Sequence, residues 1–147
     1  RIARGNVKPL TELDINKYDA LIMPGGFGVA KNLCTFAFDG VNCTVNPQVE
    51  KAILDTHKAK KPIGALCISP VLLAKLIKDA KLTIGSDEGT TQAVIDMGAK
   101  HSPTSHGEVA VDEKNLLFTT PCYMLDASIV DIANGAIAVV KEMMKFL

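Results

Sequence analysis

Neither sign of charge dominates this chain: its 147 residues carry 16 lysines and arginines against 16 aspartates and glutamates, a formal net charge of zero. The only basic cluster is Lys58, Lys60 and Lys61, which reads as the positive last turn of a helix. Without a basic patch there is no electrostatic footprint for nucleic acid or anionic lipid. Long hydrophobic runs are also missing. The longest apolar stretch is interrupted by Ser69 and Pro70 and falls short of the roughly 20 residues that span a bilayer, so no membrane partner is expected. Four cysteines stand at 34, 43, 67 and 122, with no Cys-x-x-Cys pair and no histidine at zinc spacing. That pattern argues against a disulfide framework and a structural zinc site and fits a reducing compartment. No internal repeat, low-complexity linker, secretory segment or transit segment is visible, and the chain opens at Arg1 without a methionine.

What is present is a 48% apolar chain of one domain's length, enough to bury a core. Asp19 to Met23 reads as a buried strand running into the glycine-rich turn Pro24-Gly25-Gly26-Phe27-Gly28, with a helix after it. Asn46-Pro47 has the form of an N-cap followed by proline at the first helical position, and Val49, Ala52, Ile53 and Thr56 recur at helical spacing. The apolar run Pro62 to Cys67 reads as a second buried strand. Ser69 is placed to cap and Pro70 to start a helix over Val71 to Asp79, whose apolar face is Leu72, Leu73, Leu76 and Ile77. A strand over Leu82 to Ile84, a helix over Thr90 to Met97 stopped by Gly98, and a hairpin joining 109–111 to 116–119 follow. The last helix, Ala127 to Lys145, presents Ile129, Ile132, Ala133, Ala136, Ile137 and Val140 on one face. This alternation predicts an α/β sandwich with a mostly parallel sheet.

In such a sheet, sites form beyond the carboxyl ends of the strands. Two strand ends are marked by chemistry: Pro24-Gly25-Gly26, and Cys67 at the turn from strand to helix. A thiol beside a helix N-terminus is favoured as a nucleophile, although a free cysteine is also among the most commonly buried residues. Glycine N–H groups at Gly25 and Gly26 could hold a developing oxyanion, or the segment could be an ordinary turn. No Gly-Lys-Ser/Thr follows it and the dinucleotide fingerprint is incomplete, so no cofactor is expected. Cys34 suits helix packing, Cys43 a loop, and Cys122, after Pro121 at a strand end, either packing or the crevice. His57 reads as a solvated helix-end residue, and His101 and His106 flank a loop. Asp87 and Glu88 read equally as catalytic partners or as the first turn of a helix.

The segments Leu21-Ile-Met-Pro-Gly-Gly-Phe-Gly-Val-Ala-Lys-Asn-Leu33, Lys61-Pro-Ile-Gly-Ala-Leu-Cys-Ile-Ser-Pro70, Leu82-Thr-Ile-Gly85 and Thr119-Thr-Pro-Cys-Tyr-Met124 together resemble the ThiJ/PfpI superfamily of class I glutamine amidotransferase-like proteins, and within it the ElbB-like glyoxalase branch. The resemblance covers nearly the whole chain, a single such domain over residues 1–147. It implies a flavodoxin-like three-layer sandwich, a homodimer, and no metal or cofactor. Cys67 would be the nucleophile at a strained elbow. The N–H groups of Gly26 and Ile68 would form the oxyanion hole, with Gly25, Phe27, Asn32, Ser69, Pro70 and Cys122 shaping the loop, elbow and pocket. The activity implied is a glyoxalase or deglycase acting on small carbonyls, glyoxal becoming glycolate. The rival is a noncatalytic redox sensor or binding module, and a third possibility is glutamine amidotransferase activity. PfpI peptidases carry histidine directly after the cysteine where this chain has Ile68, which argues against a full amidase triad. Family members also begin with a strand and helix that deliver a glutamate beside the cysteine. Here Arg1 to Gly5 reads as the end of that helix, so the natural protein is expected to be longer, because a sheet does not tolerate the loss of a central strand. The location implied is cytoplasmic for a bacterial member and mitochondrial for a eukaryotic one.

Overall fold

A computed structural model describes residues 5–147; the expected helix end at Arg1 to Gly5 lies largely outside the described residues. Strand β1 (Leu21–Met23) leads into a single wide helical turn, Val29–Leu33, and the short helix α1 (Phe36–Asp39). Helix α2 (Pro47–Lys58), strand β2 (Ile63–Leu66) and helix α3 (Pro70–Leu76) follow, then the short β3 (Lys81–Leu82), α4 (Glu88–Asp96) and β4 (Lys100–His101). The hairpin of β5 (Ala110–Asp112) and β6 (Leu117–Thr120) precedes helix α5 (Ile129–Met143). The main sheet has the order β1-β2-β6-β5. β1, β2 and β6 are parallel and β5 is antiparallel to β6, so the sheet is mostly parallel, as the pattern predicted.

Alternation along the strands builds three layers. Ile63, Ala65 and Leu117 pack into a core with Val49 and Ile53 of α2 and Leu72 and Leu73 of α3. Their neighbours Leu66 and Phe118 face the other way, onto Val139 and Met143 of α5, as the two-residue period of a strand requires. Every residue of β2 and β6 is buried, the mark of parallel strands covered on both faces.

Several expected boundaries shift, each for a local reason. The third expected strand shrinks to Lys81–Leu82 and pairs with β4 rather than joining the main ladder. It meets β6 through a side chain instead, the Thr83 N–H donating to Thr119 Oγ1 at 2.9 Å. Helix α3 stops at Leu76 because Ile77 turns extended. β1 is shorter than expected and Ile22 is 43% exposed, because among the described residues β1 pairs only with β2. The largest revision concerns α5. Its buried residues are Gly135, Val139 and Met143, with Ile132 and Ala136 half-buried, while Ile129, Ala133, Ile137 and Val140 are exposed. The helix carries two apolar stripes, and the sheet takes the one on which backbone can come closest. A Cβ on Gly135 would lie 3.0 Å from Thr120 Oγ1, and one on Gly64 would lie 2.8 Å from Met143 Sδ.

A buried carboxylate ties the lower ends of these elements together. Asp112 Oδ2 accepts from the Lys81 N–H at 2.8 Å and from Asn115 Nδ2 at 2.8 Å, and its Oδ1 accepts from the Asn115 N–H at 3.1 Å. Asn115 in turn faces His57, with Oδ1 3.3 Å from Nε2, so His57 is half-buried in this network rather than simply solvated. Burial acts to raise the Asp112 pKa, but the Asn115 amide and the N–H groups of Lys81, Asn115 and Lys114 outweigh it, leaving the carboxyl below its ordinary value. A depressed folded pKa contributes stability that is complete above the unfolded value of about 3.9 and is lost as pH falls through the folded value. Asp112→Ala is therefore expected to cost about 1–3 kcal/mol near neutrality. That difference should shrink in denaturant titrations as pH is lowered below about 4.

Candidate functional site

β2 and β1 end side by side, Met23 opposite Ala65, and the chain leaves both strands through backbone that ordinary residues avoid. Directly after β2, Cys67 has φ +60°, a left-handed conformation that costs a residue with a Cβ on the order of 1–2 kcal/mol. Its N–H donates to Thr120 O at 3.0 Å, which continues the β2–β6 ladder one residue past the strand. The turn then closes at once: Ser69 N donates to Leu66 O at 3.1 Å and Leu72 N to Ser69 O at 3.0 Å. Pro70 sits at the first position of α3, where its fixed φ suits the helix and its missing N–H is not needed. The expected elbow is therefore present, with a half-buried thiol at its apex.

Gly25 holds the elbow from the β1 side. It has φ +98°, and a Cβ there would lie 2.6 Å from Leu66 O and 2.7 Å from the Cβ of Cys67. Only glycine fits both that conformation and that contact. Gly26 follows with φ +95° and open space around it. The N–H groups of Gly26 and Ile68 have no protein acceptor among the described residues. The glycine loop and the thiol thus meet at the carboxyl ends of two parallel neighbours.

The remaining expected site residues divide. Phe27 is 67% exposed at the loop, and Lys31 Nζ stands 5.1 Å from its ring centroid and 5.8 Å from that of Phe38. Asn32 lies against Gly28, its Nδ2 3.5 Å from where a Cβ would be, but it makes no side-chain hydrogen bond to the loop among the described residues. Ser69 does not cap α3. Its backbone is already helical and its side chain makes no capping bond, because the turn begun at Leu66 has absorbed it. Its Oγ is buried without a partner among the described residues.

Cys122 also belongs to this end of the sheet. It is buried, has φ +48°, and sits in the apolar cluster of Leu66 and Phe118 against which Cys67 packs. Burial raises its pKa, with the charge of Cys67 acting in the same direction and the Cys67 N–H opposing. Cys34 and Cys43 form a separate buried pair, both with pKa values raised, chiefly by burial. Cys43 lies in a loop, as expected, and is buried there. The His101 ring accepts from the Ile84 N–H at 3.3 Å. Asp87 caps α4, accepting from the Thr90 N–H at 2.8 Å, so the helix reading of that residue holds. Among the described residues no carboxylate or imidazole hydrogen-bonds to Cys67. A cavity of about 420 Å³ lies elsewhere, at the amino ends of β1 and β2, lined by Leu10, Tyr18, Ile22 and Lys61.

A mostly parallel three-layer sandwich with a cysteine elbow is the amidotransferase-like class of α/β domain, and the chain belongs to the class I glutamine amidotransferase-like proteins. No family model matches it. It is 45% identical to the mitochondrial ES1 protein homolog of Rattus norvegicus over 154 residues, covering 99% of this chain and 58% of the relative. It is 42% identical to the human mitochondrial glutamine amidotransferase-like class 1 domain-containing protein 3, with the same coverage. The chain thus spans under two thirds of the length of these curated relatives. An isoprenoid biosynthesis protein with an amidotransferase-like domain from Ehrlichia chaffeensis superposes with a TM-score of 0.89 at 32% identity, covering 99% of this chain and 67% of that one. Glyoxalase III of Candida albicans shares the fold, with a TM-score of 0.67 at 19% identity over 99% of this chain and 64% of that one.

The contact at Gly25 yields a direct test. Gly25→Ala is expected to destabilise by roughly 1–3 kcal/mol through overpacking and backbone strain, read as a lowered thermal midpoint. Gly26→Ala, which meets nothing within 4 Å, should pay only for its positive φ and lose less.

Proposed function

We propose that the chain is a cysteine-dependent enzyme acting on small reactive carbonyls, converting glyoxal to glycolate or removing early glycation adducts, with Cys67 as the nucleophile. The observation that carries this reading is the strained Cys67 backbone pressed against Gly25, with the N–H groups of Gly26 and Ile68, which have no acceptor among the described residues, alongside. A thiolate at that apex attacks one aldehyde carbon, and the two N–H groups receive the oxyanion that develops on its oxygen. In the hemithioacetal, a proton moves from the attacked carbon to its neighbour, leaving a thioester of glycolate. Water then cleaves the thioester and returns the thiol. Phe27 and Lys31 flank the approach to the glycine loop.

The proton transfer needs a base. The superfamily resemblance implies a glutamate from a preceding strand and helix. For a eukaryotic source, a mitochondrial location is supported by the mitochondrial relatives of rat and human. The second reading, a noncatalytic redox or binding module, is favoured by two observations: Ile68 occupies the position after the nucleophile, and Cys67 lacks a hydrogen-bonded acid or base among the described residues. Amidotransferase activity is disfavoured because none of the three histidines hydrogen-bonds to Cys67 among the described residues.

Glycolate production from glyoxal, followed by enzymatic or chromatographic assay, separates these readings. The wild-type protein is expected to turn over glyoxal, and Cys67→Ser and Cys67→Ala to lose turnover while keeping the wild-type circular dichroism spectrum. Turnover retained without Cys67 would remove it from the mechanism, and a wild-type protein inactive on every dicarbonyl would favour the noncatalytic reading.

A further inference from the structure

The second thiol at the elbow has no part in the carbonyl reaction, yet the fold brings it to Cys67 by three separate features. First, β2 and β6 are parallel neighbours with Leu66 paired to Thr120, so their Cα atoms stand about 4.8 Å apart. Cys67 is one residue past that pair and Cys122 two. Second, the bond from the Cys67 N–H to Thr120 O at 3.0 Å keeps the two chains together beyond the last paired residues. Third, Cys122 turns back through φ +48°, and its side chain joins the apolar cluster that also receives Cys67. Cys122 is close enough to Cys67 for the Cys67 N–H and charge to act on its thiol. The Leu66–Thr120 spacing falls within the Cα separations that a disulfide spans, and Cys67 and Cys122 lie just beyond that last pair. Exposure divides the two roles, Cys67 being half-buried and Cys122 8% exposed.

We propose that Cys67 and Cys122 form a two-thiol redox centre in which a hydroperoxide oxidises Cys67 and Cys122 resolves the product to an intramolecular disulfide. In the first step the Cys67 thiolate attacks the distal peroxide oxygen. The O–O bond breaks, the sulfur gains that oxygen as a sulfenic acid, and the peroxide leaves as alcohol or water. In the second step the Cys122 sulfur attacks the sulfenic sulfur, the S–O bond breaks, and the two thiols have together lost two electrons and two protons while water departs. Burial is the main cause that raises the Cys122 pKa, and the smaller contribution from a charged Cys67 is absent once Cys67 is a sulfenic acid. The Cys67 N–H that favours a Cys122 thiolate remains. The disulfide consumes the nucleophile and so turns off any chemistry at Cys67. It also protects that sulfur from irreversible oxidation to sulfinic acid, and a small-molecule thiol restores it.

The test is the native protein exposed to a small molar excess of hydrogen peroxide, quenched by alkylation and read by intact mass and non-reducing peptide mapping. These readouts need no turnover, so they stand or fall separately from the carbonyl reading. The expected result is the loss of two hydrogens and a peptide linking Cys67 to Cys122, reversed by dithiothreitol. In Cys122→Ser, Cys67 should instead take up one oxygen, trappable by dimedone, and then two or three, several-fold more than in the wild type. Should a serine fail to fold at this buried position, the wild-type map alone decides. Three outcomes would overturn the proposal: accumulation of two or three oxygens on wild-type Cys67 with Cys122 still free, a crosslink confined to Cys34 and Cys43, or a crosslink between molecules.

Discussion

The contact on which the site depends is backbone against backbone: Gly25, leaving β1, lies so close to Leu66 and Cys67, leaving β2, that no side chain fits between them. Parallel strands end in register, and their outgoing turns compete for the same space. Here the competition is resolved by giving the glycine to one turn and the strain to the other. Cys67 tolerates its left-handed backbone because it is fixed on several sides: by the Thr120 carbonyl, by the hydrogen bonds that close the turn into α3, and by Gly25. Strain of this kind persists only where the surroundings over-determine it. Here it lifts a thiol out of the sheet at the place where ligands bind in α/β folds.

The energetic support lies below that rim. β2 and β6 are buried on both faces, with α2 and α3 packed on one side and α5 on the other. These two strands carry Cys67 and Cys122 just beyond their carboxyl ends, so fully buried strands position both thiols. At the opposite ends the Asp112 network joins the hairpin, β3 and the end of α2. The loops that shape the glycine crevice are more exposed than this frame, with Gly26, Phe27 and Gly28 all open to solvent.

Much of this was legible in the residue order. Asn46-Pro47 starts α2 with the expected side-chain cap, Gly98 ends α4 with φ +97°, and the apolar run before Cys67 is a fully buried strand. These features are local, and local chemistry specifies them. The elbow was legible too, because strand, cysteine, serine and proline leave few other conformations. What was not legible depends on contacts distant in sequence. The face α5 buries was chosen by Thr120 and Gly64 across the sheet, and no helical period distinguishes one apolar stripe from another. The shortened β3 reflects the side-chain bond to Thr119 replacing a ladder. The approach of Cys122 to Cys67 follows from the β2–β6 register, which alternating strands suggest but do not fix.

In the proposed reaction Cys67, half-buried where the other three thiols are buried, is the one thiol that meets small carbonyls. Site-resolved alkylation of the native protein tests this most directly, with the rate at each cysteine measured by mass spectrometry in the absence and presence of glyoxal. Cys67 is expected to react fastest, and glyoxal to slow its alkylation selectively, leaving the buried Cys34 and Cys43 unchanged. Equal rates at all four thiols, or a Cys67 rate indifferent to glyoxal, would contradict it.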